Sequence, residues 1–159
     1  MNKKHQYSLK MKWTGNNGSG TSAYTAYERS HTVKAENKPE VFCSSDPVFR
    51  GDKTKYNPEE LFVASISSCH MLWYLHLCAD NGIVVIDYID EPVGTLLEKT
   101  DGSGNFTEVT LHPKVIVAKH SMVAKANELH EKANQLCFIA NSCNFKILHD
   151  PVCMASGSE

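Results

Sequence analysis

Tyr7, Leu9, Met11 and Trp13 alternate with Ser8, Lys10 and Lys12, a period-two pattern that predicts a half-buried strand over 7–13. The run TGNNGSGTS supplies a turn, AYTAYERSHTV a second strand and EVFCSS a third, so an antiparallel β-meander is predicted over about 7–45. Arg29 and His31 would then share a face of the second strand, because residues two apart point the same way. The stretch YNPEELFVASISSCHMLWYLHLCADNG, residues 56–82, is apolar almost all the way round, which predicts a buried helix over about 58–80. Asn57 is a suitable N-cap, Pro58 fits the first helical position, Glu60 can close a capping box, and Gly82 is a stop signal. IVVIDYIDEPVGTLLEK and FTEVTLHPKVIVA, joined through DGSGN, predict a β-hairpin over about 83–118, with Pro92 and Pro113 at bulge or edge positions. Met122, Val123, Ala126, Leu129, Ala133, Leu136 and Cys137 recur at helical spacing, predicting a second helix over about 121–137. NFKILHD predicts a last strand over about 144–149, and the tail PVCMASGSE reads as disordered.

These elements describe an α+β fold. With 159 residues, 42% of them hydrophobic, the chain can bury one sizeable core, so a single domain over 1–159 is expected. A formal net charge of −2 and a pI near 6.4 give no electrostatic argument for nucleic acid or an anionic membrane as partner. No apolar run of signal-peptide length follows Met1, and no uninterrupted run of about 18 apolar residues occurs. Cytoplasm is the expected compartment. Six cysteines without a CxxC pair suggest packing residues and one or two reactive thiols rather than a disulfide framework or zinc knuckle.

The candidate chemistry centres on Cys69, in the middle of the apolar helix. A mid-helix thiol gains nothing from the helix N-terminus, so its thiolate needs a cation brought by the fold. Arginine suits this best, since its guanidinium stays charged when buried. The only arginines are Arg29 and Arg50. Cys137, on the apolar face of the second helix, would come within disulfide reach of Cys69 if the two helices pack together; otherwise both are packing residues. Glu59 favours the helix dipole regardless of function. It precedes Cys69 by ten residues, about 15 Å of helix rise, so a shared site requires a broken helix or a second protomer. Cys69 and His76 lie about 10 Å apart along the axis, too far for one metal ion. No metal site is predicted, and His70 reads as a buried, hydrogen-bonded histidine with His31 or a backbone carbonyl as partner. Cys43, Cys78, Cys143 and Cys153 read as packing thiols.

NPEELFVASISSCHM and KANQLCFIANSC, in this order and separated by a hairpin region, resemble the two signatures of the OsmC/Ohr family of thiol-dependent peroxidases, over about residues 24–145. The SSCHM and CFIANS wording resembles a branch in which His70 replaces an apolar residue usual beside the reactive cysteine. The resemblance implies an OsmC-like fold: antiparallel sheets wrapped around a central buried helix in an intertwined homodimer, with the site between protomers. It implies a stress-defence peroxidase in which Cys69 is the peroxidatic thiol, Cys137 the resolving thiol, and Glu59 the carboxylate that orients a catalytic arginine. Arg29 is the first choice for that arginine and Arg50 the second. Ser65, Ile66, Leu72 and Trp73 would offer the substrate pocket. The implied partners are an organic hydroperoxide, a dithiol reductant of lipoyl type and a second copy of the chain, with no metal or flavin. The alternative is a non-catalytic protein of the same fold that binds an apolar small molecule at the dimer interface.

Overall fold

The NPEE sequence sets where the main helix begins. Asn57 Oδ1 accepts from the Glu60 amide at 2.7 Å, and Glu60 Oε2 accepts from the Asn57 amide at 3.0 Å. This reciprocal capping box satisfies two otherwise orphaned donors. From it α1 runs unbroken over Pro58–Asp80. Gly82, with φ of +69°, ends it in a Schellman motif: the Ile83 amide donates to the Cys78 carbonyl at 2.9 Å and the Gly82 amide to that of Ala79 at 3.1 Å. By length and composition α1 is also apolar enough to cross a membrane, with a mean hydropathy of 1.4.

The computed structural model describes residues 3–157. These divide into two compact units whose boundary falls between Leu61 and Phe62, within the first turns of α1. In the first unit β1 (Lys10–Trp13), β2 (His31–Lys34) and β3 (Val41–Cys43) form an antiparallel sheet in that order, with Trp13 paired to His31 and His31 to Cys43. The strands are shorter than the alternation predicts. Residues 23–30 are irregular, so Arg29 lies outside β2 and shares no strand face with His31. The half-burial expected over 7–13 is also not met within one chain: Tyr7 is 89% exposed, and Leu9 and Met11 are each 68% exposed.

In the second unit the expected hairpin is four strands placed in two sheets. Pro92, which lacks an amide donor, separates β4 (Val85–Asp90) from β5 (Val93–Glu98), and Pro113 begins β7. β5 pairs antiparallel with β6 (Gly104–Leu111), and β4 antiparallel with β7 (Pro113–Val117). β8 (Lys146–His149) then adds parallel to β6, and β9 (Val152–Ala155) parallel to β7. Both sheets are therefore mixed rather than antiparallel. β9 also corrects the reading of the tail as disordered; residues 158 and 159 lie outside the described residues. The second helix, α2, spans Val123–Leu136, entered through a 3₁₀ turn over His120–Met122.

One stripe of α1 faces this unit's interior: Ile66, His70, Tyr74 and Cys78, spaced by four and all buried. Ile66 joins Val109, Leu111 and Ile147 in one apolar cluster. Tyr74 and Cys78 join Ile83, Val115, Val117, Ala126, Leu129, Ala133 and Cys153 in another. Beside the stripe, Ser67 of α1 donates to Asp90 at the end of β4, and Asp90 accepts the His112 amide at 2.7 Å.

His70 sits between the two clusters. Its Nε2 meets Nδ1 of His130 on α2 at 3.0 Å, with ring centroids 5.4 Å apart and planes within 7°. His149 of β8 stacks on His70 at 5.7 Å, and Tyr74 on His130 at 3.9 Å. On the far side of His130, Nε2 lies 3.8 Å from the Cys153 thiol. Burial, reinforced by repulsion from His149, lowers the His70 pKa to about 4; burial, reinforced by His70 and His149, lowers that of His130 to about 3. Both imidazoles are neutral at pH 7.

Two outcomes follow. Asn57→Ala removes one half of the capping box and is expected to lower stability by about 1 kcal/mol, read as a shift in the urea midpoint. Acid should destabilise the fold before the carboxylates titrate. Unfolded histidines take up protons as pH falls through about 6.5 whereas folded His70 and His130 do not, so the unfolded state binds more protons. Stability is full above that pH and declines toward pH 4 to 3, by about 2 kcal/mol for each of the two histidines at pH 5. Urea unfolding at pH 7.5 and pH 5 checks this: His130→Asn should show the smaller pH-dependent loss.

Candidate functional site

Cys69 occupies the face of α1 next to the buried stripe, about 100° round the axis from His70. It is half-buried, together with Ser65 and Trp73, while Leu72 is 60% exposed. Ile66 does not share this outlook. It is fully buried in the core and presents no surface to a ligand, which corrects its assignment to the pocket. Ser65 turns its hydroxyl back to the Phe62 carbonyl at 2.7 Å. Leu72, Trp73 and His76 line a surface cavity of 240 Å³.

Cys137 reaches Cys69 from the end of α2. The helix stops at Leu136, and Cys137 caps it in an extended conformation, φ −65° and ψ 111°. Asn141 holds the turn that follows, its side chain donating to the Gln135 carbonyl at 3.0 Å and its amide to the Cys137 carbonyl at 3.0 Å. Cys137 is fully buried. Burial and a hydrogen bond to Cys69 both push its thiol pKa up, outweighing the Ala140 amide that donates to its sulfur at 3.4 Å. The carbonyl end of a helix also disfavours a thiolate. Cys137 therefore keeps its proton, and no disulfide joins the two.

An aromatic pair closes one end of this thiol pair. Trp73, one turn after Cys69, meets Phe138 edge-on at 5.6 Å and 84°, and Phe138 is itself 67% exposed. His76 meets Trp73 edge-on at 5.8 Å and lies 3.4 Å from the Asp80 carboxylate.

The first unit holds the remaining candidates. Arg29 donates to the carbonyls of Tyr27 at 2.6 Å and Tyr24 at 2.8 Å, and its guanidinium lies 4.2 Å from the ring centroid of each. His31 Nδ1 lies 3.0 Å from the Arg29 carbonyl oxygen. Arg50 adopts a left-handed conformation, φ +64°, and caps the 3₁₀ turn over Pro47–Phe49. Glu59 lies in the first turn of α1, and because the helix is unbroken, about 15 Å of rise separates it from Cys69.

The hydrogen-bond partner of His70 is His130, not His31 or a backbone carbonyl. Sequence reasoning passed over His130 and His149, although the signals exist. His130 falls four after Ala126 and three before Ala133 on the apolar face of α2, and His149 follows Ile147 by two on β8. Among the described residues, no group of three or more His, Cys, Asp or Glu is arranged to hold a metal ion. Burial pushes up the thiols of Cys43, Cys78, Cys143 and Cys153, as expected of packing cysteines.

Known proteins of this architecture carry the same arrangement of elements. An OsmC-like protein of unknown function from Vibrio cholerae superposes with a TM-score of 0.82 at 29% identity, over 94% of this chain and all of its own. Two organic hydroperoxide resistance proteins share the fold at greater distance. That of Elizabethkingia anophelis has a TM-score of 0.66 at 21% identity, covering 97% of this chain and 100% of its own. OhrB of Bacillus subtilis has a TM-score of 0.61 at 19% identity, covering 93% and 98%. No curated relative matches the chain. The family model described as OsmC-like protein matches residues 51–149, more than half the sequence and both cysteine motifs, and the chain belongs to the OsmC-like protein family.

Proposed function

We propose that this protein is a cytoplasmic, two-cysteine peroxidase for organic hydroperoxides in stress defence. The observation that carries this reading is the meeting of a half-buried Cys69 with a fully buried Cys137, whose thiol pKa is raised by burial and by the neighbouring Cys69. In the first step the Cys69 thiolate attacks the distal oxygen of ROOH. The O–O bond breaks, the alkoxide takes a proton and leaves as ROH, and Cys69 becomes a sulfenic acid. Cys137 then attacks the Cys69 sulfur, and the S–O bond breaks. Cys137 gives up its proton as its sulfur attacks, and that proton leaves with the departing hydroxide as water. An external dithiol, of lipoyl type in this reading, donates two electrons and two protons to restore both thiols and ends as its own disulfide. Leu72, Trp73 and Phe138 offer apolar surface to the R group.

The same reading assigns the thiolate-holding cation to Arg29, with Arg50 second, and the orienting carboxylate to Glu59. An unbroken α1 keeps Glu59 away from its own Cys69, which supports a homodimer whose sites draw on both chains. The exposed side chains of Leu9, Met11 and Leu72 provide apolar surface for that assembly. A non-catalytic protein binding an apolar ligand would share the Leu72–Trp73 surface but leave both thiols unreacted.

Turnover of an organic hydroperoxide with a dithiol tests the roles. Cys69→Ser should abolish it; Cys137→Ser should consume about one equivalent and then over-oxidise to sulfinic acid. Equal activity in both variants would contradict the assignments. The shared site has its own test. Glu59→Gln and Cys69→Ser chains, each inactive alone, should regain activity when unfolded and refolded together, because one site of each mixed dimer is then intact. No recovery would mean that Glu59 and Cys69 do not act together across the dimer.

A further inference from the structure

Three imidazoles, a phenol and a thiol from four elements meet in the interior of the second unit. A core position is more cheaply filled by leucine or phenylalanine, since a buried polar group must find a partner to offset its lost hydration. Polar pairs do something that apolar packing does not: they select one alignment, because a hydrogen bond is lost when its partners slip by an ångström or so.

The alignment selected here is that of the two cysteine-bearing helices. His70 directly follows Cys69 on α1, and His130 precedes Cys137 on α2 by seven residues, two turns or about 10 Å. Their 3.0 Å contact ties α1 to α2 on one side of the thiol pair. The Trp73–Phe138 contact, at 5.6 Å, ties α1 to the turn that follows Cys137. Each imidazole is braced in turn: His149 of β8 stacks on His70, Tyr74 of α1 stacks on His130, and Cys153 of β9 approaches His130 Nε2 at 3.8 Å. Tyr74 also approaches Cys153 through its hydroxyl, at 3.7 Å. None of these groups touches Cys69 or Cys137 in the proposed reaction, so they are positioning residues.

We propose that the His70–His130 hydrogen bond, braced by His149, is the register clamp that holds Cys137 in attacking distance of Cys69 and so sets the rate of disulfide formation. The proposal rests on the Cys69–Cys137 pairing in the reading above, but its test does not need peroxidase activity. Diamide, a two-electron oxidant of thiols, adds to one cysteine and is displaced by the other as its hydrazine, which leaves the disulfide.

Three substitutions at His130 separate clamp from packing. Asn places its amide where Nδ1 stands and can keep the bond to His70. Gln reaches instead toward the Nε2 position and Cys153, and Phe keeps only the stacking. The measurement is the rate of Cys69–Cys137 disulfide formation with diamide and, separately, with an organic hydroperoxide, alongside iodoacetamide alkylation of Cys69 and thermal unfolding. The expected result is that His130→Gln and His130→Phe slow disulfide formation about tenfold or more, that His130→Asn restores most of it, and that alkylation changes by less than about twofold. Should His130→Phe fail to fold, the Asn and Gln pair still decides. Equal diamide rates for Asn and Gln, or a wild-type protein that forms no such disulfide with diamide, would overturn the clamp. If the diamide rates follow the clamp pattern while hydroperoxide leaves the wild-type thiols unreacted, the clamp stands and the peroxidase reading falls.

Discussion

The constraint on which the rest depends is the covering of α1. This 23-residue helix is apolar on nearly every face, yet the chain buries only the stripe Ile66, His70, Tyr74 and Cys78. That stripe organises the second unit: β6 and β8 close over its N-terminal half, and β7, β9 and α2 over its C-terminal half. The neighbouring face, with Cys69, Leu72 and Trp73, is left open enough to meet a small molecule or another chain. A thiol displaced by about 100° from the buried stripe is thus half-sheltered without being sealed in, which suits a proposed nucleophile that must meet both a substrate and a second thiol.

Electrostatics inside the unit point the same way. Cys137 sits where burial, a helix C-terminus and its bond to Cys69 all favour the protonated thiol, so the proton stays on the cysteine proposed to resolve. The histidines beside the pair are kept neutral by burial and by one another, so at neutral pH their bond is an ordinary donor–acceptor pair with no charge to solvate. Acid threatens that arrangement, because protonation places like charges on stacked rings within 5.4 to 6.5 Å of each other.

Much of this was legible in the sequence, for local reasons. The capping box at Asn57 and Glu60 and the glycine stop at Gly82 depend on a few adjacent residues, and they fix α1 at both ends. Cys137 could be placed at the end of α2 from helical spacing alone. Non-local facts were harder to read. Because α1 is apolar all round, its periodicity did not reveal which stripe is buried, and Ile66 was assigned to the pocket when it belongs to the core. The run from Ile83 to Ala118 alternates as a hairpin would, and only Pro92 and Pro113 hint that it divides between two sheets. β9 was missed because PVCMASGSE looks like a tail, although Val115 and Val117 of β7 pair beside it with Cys153 and Ala155. Arg29 follows a strand-like pattern but is drawn out of it by Tyr24 and Tyr27, whose rings and carbonyls hold its guanidinium.

The central claim is that Cys69 and Cys137 form a redox pair. It is tested most directly by treating the fully reduced protein with one equivalent of an organic hydroperoxide and mapping the peptides by mass spectrometry. The account predicts a single new Cys69–Cys137 disulfide that a dithiol reverses, with Cys43, Cys78, Cys143 and Cys153 still reduced. Six unreacted thiols, or a disulfide that joins other cysteines, would contradict it.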